Sequence, residues 1–250
     1  MQRGIIISVT LLVLLFCGAI VYVYSSIGSV IQGAVQNYGS EITKSPVTIQ
    51  GADFSPTSGD ATIFNLIVGN PVGFSPDNAF SFPNIILQIE PETISQDTMI
   101  IKRIKIEAPE IIYEITEDGD NLRAIRKNIM AAVDQEKIQA VGTANFQEKR
   151  FIVNDVYISN AVVVVQATGL TGNKVTAVLD DIHLQDIGRD QDGIGPAALV
   201  DEIYIPLLRA ITMAAMSTDL KLSDQMRNIV KGAADETEGA IDRLKELFKD

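Results

Sequence analysis

A run of 21 residues without charge, GIIISVTLLVLLFCGAIVYVY from Gly4 to Tyr24, constrains this chain more than any other feature. At about 1.5 Å rise per residue, a helix of that length spans roughly 30 Å, the thickness of a bilayer core. The apolar part of a secretory signal peptide is shorter, about 7–15 residues, and no small-x-small cleavage site follows at once. Residues 1–26 therefore read as an uncleaved transmembrane anchor that meets the lipid bilayer through residues 4–24. Tyr22 and Tyr24 sit where an interfacial aromatic belt belongs. Arg3 precedes the run, and no Lys or Arg follows it until Lys44. By the positive-inside rule the N-terminus stays in the cytoplasm and the rest of the chain crosses. Cys17 is the single cysteine, so no intramolecular disulfide is available. Phe16 before it is too large for a lipoprotein acylation site, and Cys17 reads as an apolar thiol in lipid.

Beyond the anchor the chain is acidic. Lys and Arg number 20 against 32 Asp and Glu, a net charge of -12 in 250 residues. A nucleic-acid binder needs a basic stripe, so that class is excluded. An acidic surface suits a domain that resists non-specific association.

Hydrophobic periodicity divides the rest of the chain. Ile27, Val30, Ile31, Ala34, Val35 and Tyr38 recur at helical spacing, which predicts a juxtamembrane helix over 27–45 closed by Lys44-Ser45-Pro46. The period then falls to two, and 46–190 reads as a β domain. Phe64, Leu66 and Val68 are expected on one face of a strand, with Ile63, Asn65 and Ile67 on the other. Ile85, Leu87 and Ile89, then Ile104 and Ile106, then Ile111, Tyr113 and Ile115 form one continuous apolar surface in this reading. Ala108-Pro109 and Ser159-Asn160 read as turns between neighbouring strands, and Lys174–Leu184 as a single strand. Helical spacing interrupts the strands at 122–141. It returns over 195–250, where Pro206 interrupts a mostly apolar helix and Leu222 to Phe248 forms an amphipathic one. The expected class is α+β: an N-terminal transmembrane helix, then a twisted, mainly antiparallel sheet with one inserted helix and C-terminal helices.

The stretch IVGNPVGFSPDNAFSF, Ile67 to Phe82, breaks two apolar strands with unusual rigidity. Pro71 cannot donate to a ladder and biases Asn70 toward extended geometry. Gly73 permits a backbone angle that other residues avoid. Asn70, Pro71, Gly73 and Phe74 are thus expected to form a structural corner.

Chemistry-bearing residues are sparse. His183, the one histidine, lies on a strand facing away from the core, and no second His or Cys completes a zinc site. GLTGNKVT at Gly169–Thr176 lacks the spacing of a phosphate loop. Asp190-Gln191-Asp192-Gly193 has too few acidic positions for a calcium loop and reads as a turn. Glu107, Glu110 and Glu114 flank Pro109 and read as an ordinary charged sheet face. No serine sits in a G-x-S-x-G elbow. The expectation is a non-enzyme without metal or cofactor.

Several stretches together resemble the membrane-proximal region of the AsmA-like family of bacterial envelope proteins. They are L-x-V-G-N-P-x-G-F at Leu66–Phe74, I-x-x-I-x-I-x-A-P-E-I at Ile101–Ile111, and Asn121-Leu122 opening a helix. VNDVYISNAVVVVQA and GNKVTAVLDDIHLQDIG are similar to a second, looser round of the same strands. The resemblance implies a groove-shaped sheet with an apolar concave face, anchored in the inner membrane and facing the periplasm. It implies a part in envelope lipid homeostasis, with phospholipid as the partner of a groove lined by Ile85, Leu87, Ile89, Ile104, Ile106, Ile111, Tyr113 and Ile115. The alternative is a structural or assembly subunit whose own helices fill that face and whose partners are other envelope proteins.

Overall fold

A computed structural model of the chain describes residues 28–134, 149–167, 174–217 and 222–247. The expected anchor and Cys17 lie outside these residues. Among the described residues no helix is long and apolar enough to cross a membrane.

The architecture is α+β, with one mixed sheet and four helices among the described residues. Helix α1 covers residues 28–43. Strands β1 (Val47–Thr48), β2 (Gly51–Phe54), β3 (Asp60–Gly69), β4 (Asn78–Ile89), β5 (Thr98–Glu107) and β6 (Glu110–Ile115) come next. Helix α2 (Asn121–Asp134) precedes β7 (Arg150–Ser159), β8 (Val162–Ala167), β9 (Lys174–Val178) and β10 (Ile182–Ile187). The chain closes with α3 (Pro196–Met216) and α4 (Asp224–Leu247). The inserted helix expected to Val141 is described as far as Asp134, and residues 135–148 lie outside the description.

Pairing reduces these segments to six longer lines. β4 binds β5 through Asn84–Ile89 and β6 through Phe80–Ser81, so β5 and β6 lie end to end on one edge of β4. β7 runs parallel to β5, and β8 runs parallel to β6. β10 is antiparallel to β7, and β9 is antiparallel to β8. β1 and β2 share one edge of β3 in the same way. Ala108-Pro109 and Ser159-Asn160 are therefore not turns between neighbouring strands; the line continues past each of them. The expected single strand Lys174–Leu184 is two strands on one line. The two parallel pairings make the sheet mixed, and such pairing requires a long crossover, which here contains α2.

A crease crosses the sheet where these lines break. Asn65 (φ 49), Ala108 (φ 49) and Asn160 (φ 55) take left-handed backbone angles there. Asn tolerates that region better than most residues, which accounts for two of the three; Ala108 has no such side chain. Hydrogen bonds continue across the crease, from Ala108 N to Ser159 O (2.8 Å), Val162 N to Pro109 O (2.9 Å) and Leu179 N to Ala161 O (2.9 Å). The crease also resets the alternation of side chains. Ile104 and Ile106 are buried before it, and Ile111, Tyr113 and Ile115 after it. Val156 and Ile158 are followed likewise by Val163 and Val165. In β3, Ile63 opposes Ile85, whereas Leu66 opposes Phe82 and Val68 opposes Phe80. Ile63 thus joins Leu66 and Val68, and Phe64, opposite Asn84, leaves them. This corrects the uniform alternation expected for that strand.

Both halves of the sheet consequently offer their apolar side chains to the same helical layer. α3 packs on β7 and β10, and α2 and α4 pack on β6. Leu207, Leu208, Ile211, Met226 and Val230 join the strand residues in one core. α1 packs beside the β1–β2 line, where the Gln32 and Gln36 side-chain amides donate to Ile49 O at 3.1 and 3.4 Å. A Cβ on Gly28 would stand 2.3 Å from Ala52 O, so the approach of α1 to β2 requires glycine.

Candidate functional site

The Asn70–Asp77 corner folds over a buried carboxylate. Glu114 sits on β6 between Tyr113 and Ile115, and its residue is 1 % exposed. The Ser75 amide donates to both of its carboxylate oxygens at 3.0 Å. The Ser75 hydroxyl donates to Oε2 at 2.5 Å. The side-chain amides of Asn70 and Gln166 reach the same oxygen at 3.3 and 3.2 Å. Asn121, at the start of α2, extends the network. Its Nδ2 donates to Asn70 Oδ1 (2.8 Å) and to Ile112 O (2.7 Å), and its Oδ1 accepts from Glu114 N (2.9 Å). A buried carboxylate without donors would be strongly unfavourable, and this one is surrounded by them. The arrangement ties the corner, β6, β8 and α2 into one rigid unit.

The corner itself follows from its residues. Asn70 also donates to Ser75 O at 3.2 Å, and Phe74 N donates to Pro71 O at 3.3 Å. Gly73 has φ 103, the angle that its lack of a side chain permits. Pro71 is buried, Phe74 is half-buried and Val72 at the tip is fully exposed.

A second polar group staples the helices. Asp120 caps α2, accepting from Arg123 N at 2.8 Å and from Arg123 Nε at 2.5 Å. Burial pushes the Asp120 carboxyl above the ordinary aspartate range, against the pull of the Arg123 guanidinium. The Tyr113 hydroxyl is buried beside it without a hydrogen bond of ordinary geometry. Burial and the Asp120 charge push that phenol well above its usual range. Arg126 grips Asp201 of α3 through two nitrogens at 2.9 and 3.0 Å, and reaches Glu236 of α4 at 3.2 Å. Tyr204 donates to Leu122 O at 2.5 Å. Between this staple and the corner lies a cleft of about 1070 Å³, whose walls include Val72, Phe74, Arg123, Lys127, Met130 and Glu236.

The structure brings the eight expected apolar residues together in one cluster, with α2 and α4 packed on its β6 part. Ile104, Ile106, Ile111, Tyr113 and Ile115 are buried, while Ile85, Leu87 and Ile89 are half-buried. Among the four corner residues, Asn70 enters the carboxylate network directly. Glu107 and Glu110 are exposed as expected, but Glu114 is not on a charged face. Its partners Ser75, Asn121 and Gln166 were not legible as a group. They come from distant positions, and only the fold assembles them. His183 faces solvent, stacks on Tyr157 at 4.2 Å and holds Asp155 at 2.8 Å. The Asp190–Gly193 segment is stitched by Arg150, whose guanidinium donates to the carbonyls of Gln191, Asp192 and Gly193. No group of His, Cys, Asp and Glu able to hold a metal occurs among the described residues. In comparisons with known proteins, no family model matches the sequence and no curated protein matches it significantly.

Proposed function

We propose that this chain is a single-pass inner-membrane protein of the AsmA-like type, with its domain in the periplasm, serving as a non-catalytic assembly subunit of the envelope. The observation that carries the subunit reading is the closure of the apolar face beyond the crease. Ile111, Tyr113 and Ile115 have no exposed surface and share a core with Leu207, Ile211, Met226 and Val230 of the chain's own helices. Removing those helices to admit acyl chains would expose several large aliphatic side chains, each costing about 1.5–3 kcal/mol. The anchor and topology rest on the uncharged run after Arg3.

Phospholipid handling is the second reading. It is favoured by Ile85, Leu87 and Ile89, which stay half-exposed where the residues beyond the crease are sealed. Photo-crosslinkers at Leu87 and at Ile106 in cells separate the two. The subunit reading expects capture of the chain's own peptides at both positions. Capture of lipid at Leu87 would replace it with the lipid reading.

A further inference from the structure

Helix α1 runs antiparallel to the β1–β2 line, and its contacts show the direction. A Cβ on Gly28 would stand 2.3 Å from Ala52 O, Gln32 and Gln36 donate to Ile49 O, and Val47 N donates to Ser40 Oγ at 2.9 Å. The start of α1 therefore lies toward the end of β2, and its close toward Val47. The anchor of the single-pass reading ends at Tyr24, four residues before Gly28. Four residues of chain span no more than about 14 Å. Past Ala52 the strand carries on beyond the start of α1 and reaches Ser55 after about 10 Å. The Ser55–Gly59 turn, closed by Gly59 N donating to Ser55 O at 2.8 Å, and the end of the anchor thus lie within the same short reach of Gly28.

Three segments close this end of the sheet as one surface. Ile89 N donates to Gly59 O at 2.8 Å, which seats the Ser55–Gly59 turn against the start of the Pro91–Asp97 segment. Lys149 Nζ donates to Ile94 O at 3.3 Å and to Gln96 O, and Arg150 N donates to Asp97 O at 2.9 Å. The Arg150 guanidinium, on the carbonyls of Gln191, Asp192 and Gly193, adds the third segment. Both basic side chains are thereby engaged by backbone carbonyls. The tips of the first two segments are polar and uncharged, with Thr57, Ser58, Ser95 and Gln96 exposed. Asp60, Glu92, Asp97, Asp190 and Asp192 stand exposed around them. Anionic lipid repels such a surface. Zwitterionic headgroups complement it, because their phosphates accept from hydroxyls and their ammonium groups meet carboxylates.

We propose that this end of the sheet rests on the zwitterionic headgroups of the bilayer that holds the anchor, with the Ser55–Gly59 turn nearest to lipid. The covalent tether keeps the surface at high local concentration beside the membrane, so weak polar contacts suffice. The Asn70–Asp77 corner then points away, because the ten residues of β3 put about 33 Å between it and the Ser55–Gly59 turn. The inference rests on the single-pass reading above and adds which surface of the domain meets lipid.

The test uses the full chain in phosphatidylcholine nanodiscs that contain a lipid spin-labelled at its headgroup. Ser58→Cys, Ser95→Cys and Val72→Cys, each combined with Cys17→Ser, carry a fluorophore on the introduced thiol. All three positions are exposed, so the label leaves the core intact. Quenching requires close approach to the spin label. The fluorophore at Ser58→Cys should lose most of its emission, that at Ser95→Cys should follow, and that at Val72→Cys should keep nearly all of it. Replacing part of the phosphatidylcholine by phosphatidylglycerol at low salt should relieve the quenching at Ser58→Cys. Equal quenching at Ser58→Cys and Val72→Cys overturns the proposal, in favour of a domain lying flat. No quenching at any position, in nanodiscs that retain the chain, overturns it and leaves the anchor standing. Stronger quenching on adding phosphatidylglycerol overturns the assignment to zwitterionic headgroups. A chain that the nanodiscs do not retain overturns the single-pass reading itself, and this placement with it.

Discussion

The Ser75 amide lies 3.0 Å from both carboxylate oxygens of Glu114, a residue 39 positions further along the chain. That contact explains why so rigid a break separates two strands. Pro71 and Gly73 shape the corner, and the carboxylate beneath it holds the shape. Glu114→Ala should strand the Ser75, Asn70 and Gln166 donors and cost about 2–4 kcal/mol of stability. Glu114→Gln keeps the volume but turns an amide toward donors, at about 1–3 kcal/mol. Glu110→Gln, on an exposed position of the same strand, should stay within about 0.5 kcal/mol. Denaturant midpoints of the full chain rank the three, and equal midpoints would mean that the corner holds itself.

Two glycines with left-handed angles should differ in what they tolerate. Gly73 has φ 103, and a Cβ placed there would meet no atom within 4 Å, so Gly73→Ala carries backbone strain alone, about 1 kcal/mol. At Gly59, φ 75, a Cβ would stand 1.9 Å from Ile89 O. Gly59→Ala must therefore shift the end of β4 as well and should cost clearly more. Thermal unfolding of the two variants gives the order, and the reverse order would contradict this packing of the Ser55–Gly59 loop on Ile89.

The crease makes its own demand on Asn160. With φ 55, a β-branched side chain there is strained by about 1–2 kcal/mol, whereas glycine is not. Asn160→Val should lower the melting temperature and Asn160→Gly should leave it nearly unchanged. Both variants keep the hydrogen bond from Asn160 N to Asp181 Oδ1, at 3.1 Å, so equal losses would mean that the site requires the Asn160 side chain rather than the backbone angle.

The crease is also where sequence reasoning stopped short. The strands around Ile104 and Ile111 were legible from their period of two, because each half presents one apolar face. The residues between them looked like a turn, since Pro109 and Asn160 carry turn chemistry and the alternation changes phase there. A reversal and a single left-handed residue leave the same signature in one strand. Only the ladder, with β7 beside β5 and β8 beside β6, tells them apart. Glu114 was hidden for a similar reason. Its neighbours Tyr113 and Ile115 mark it as facing away from the core, and nothing local says that the Asn70–Asp77 corner covers that side. The opening of α2 at Asn121, by contrast, was visible in the Asn-Leu pair.

Topology is open to a direct measurement. A reporter active only in the periplasm, fused after Asp250, should be active if Arg3 holds the N-terminus in the cytoplasm. Activity of a cytoplasm-only reporter at the same position would reverse the proposed orientation.

Asp155 and Asp120 should respond to acid in opposite senses. The hydrogen bond with His183 holds the Asp155 carboxyl below the ordinary aspartate range. Its contribution is then present above the unfolded value of about 4 and is lost as pH falls through the lower folded value. Asp120 is pushed the other way by burial, against Arg123. The fold prefers its protonated form, so stability falls as pH rises from about 4 through the higher folded value. Asp155→Asn should flatten the pH dependence below about 4, and Asp120→Asn should flatten the interval above it. Asp155 lies toward solvent, so its effect is small and sensitive to salt. Asp120→Asn also loosens the Arg123 staple on α2 and lowers the whole curve; the slope, not the height, carries the information. Urea midpoints at a series of pH values, for the full chain and both variants, measure these slopes. Slopes unchanged in Asp120→Asn would mean that Arg123 keeps that carboxylate ionised throughout, and that the cap of α2 is a fixed ion pair rather than a proton-sensitive one.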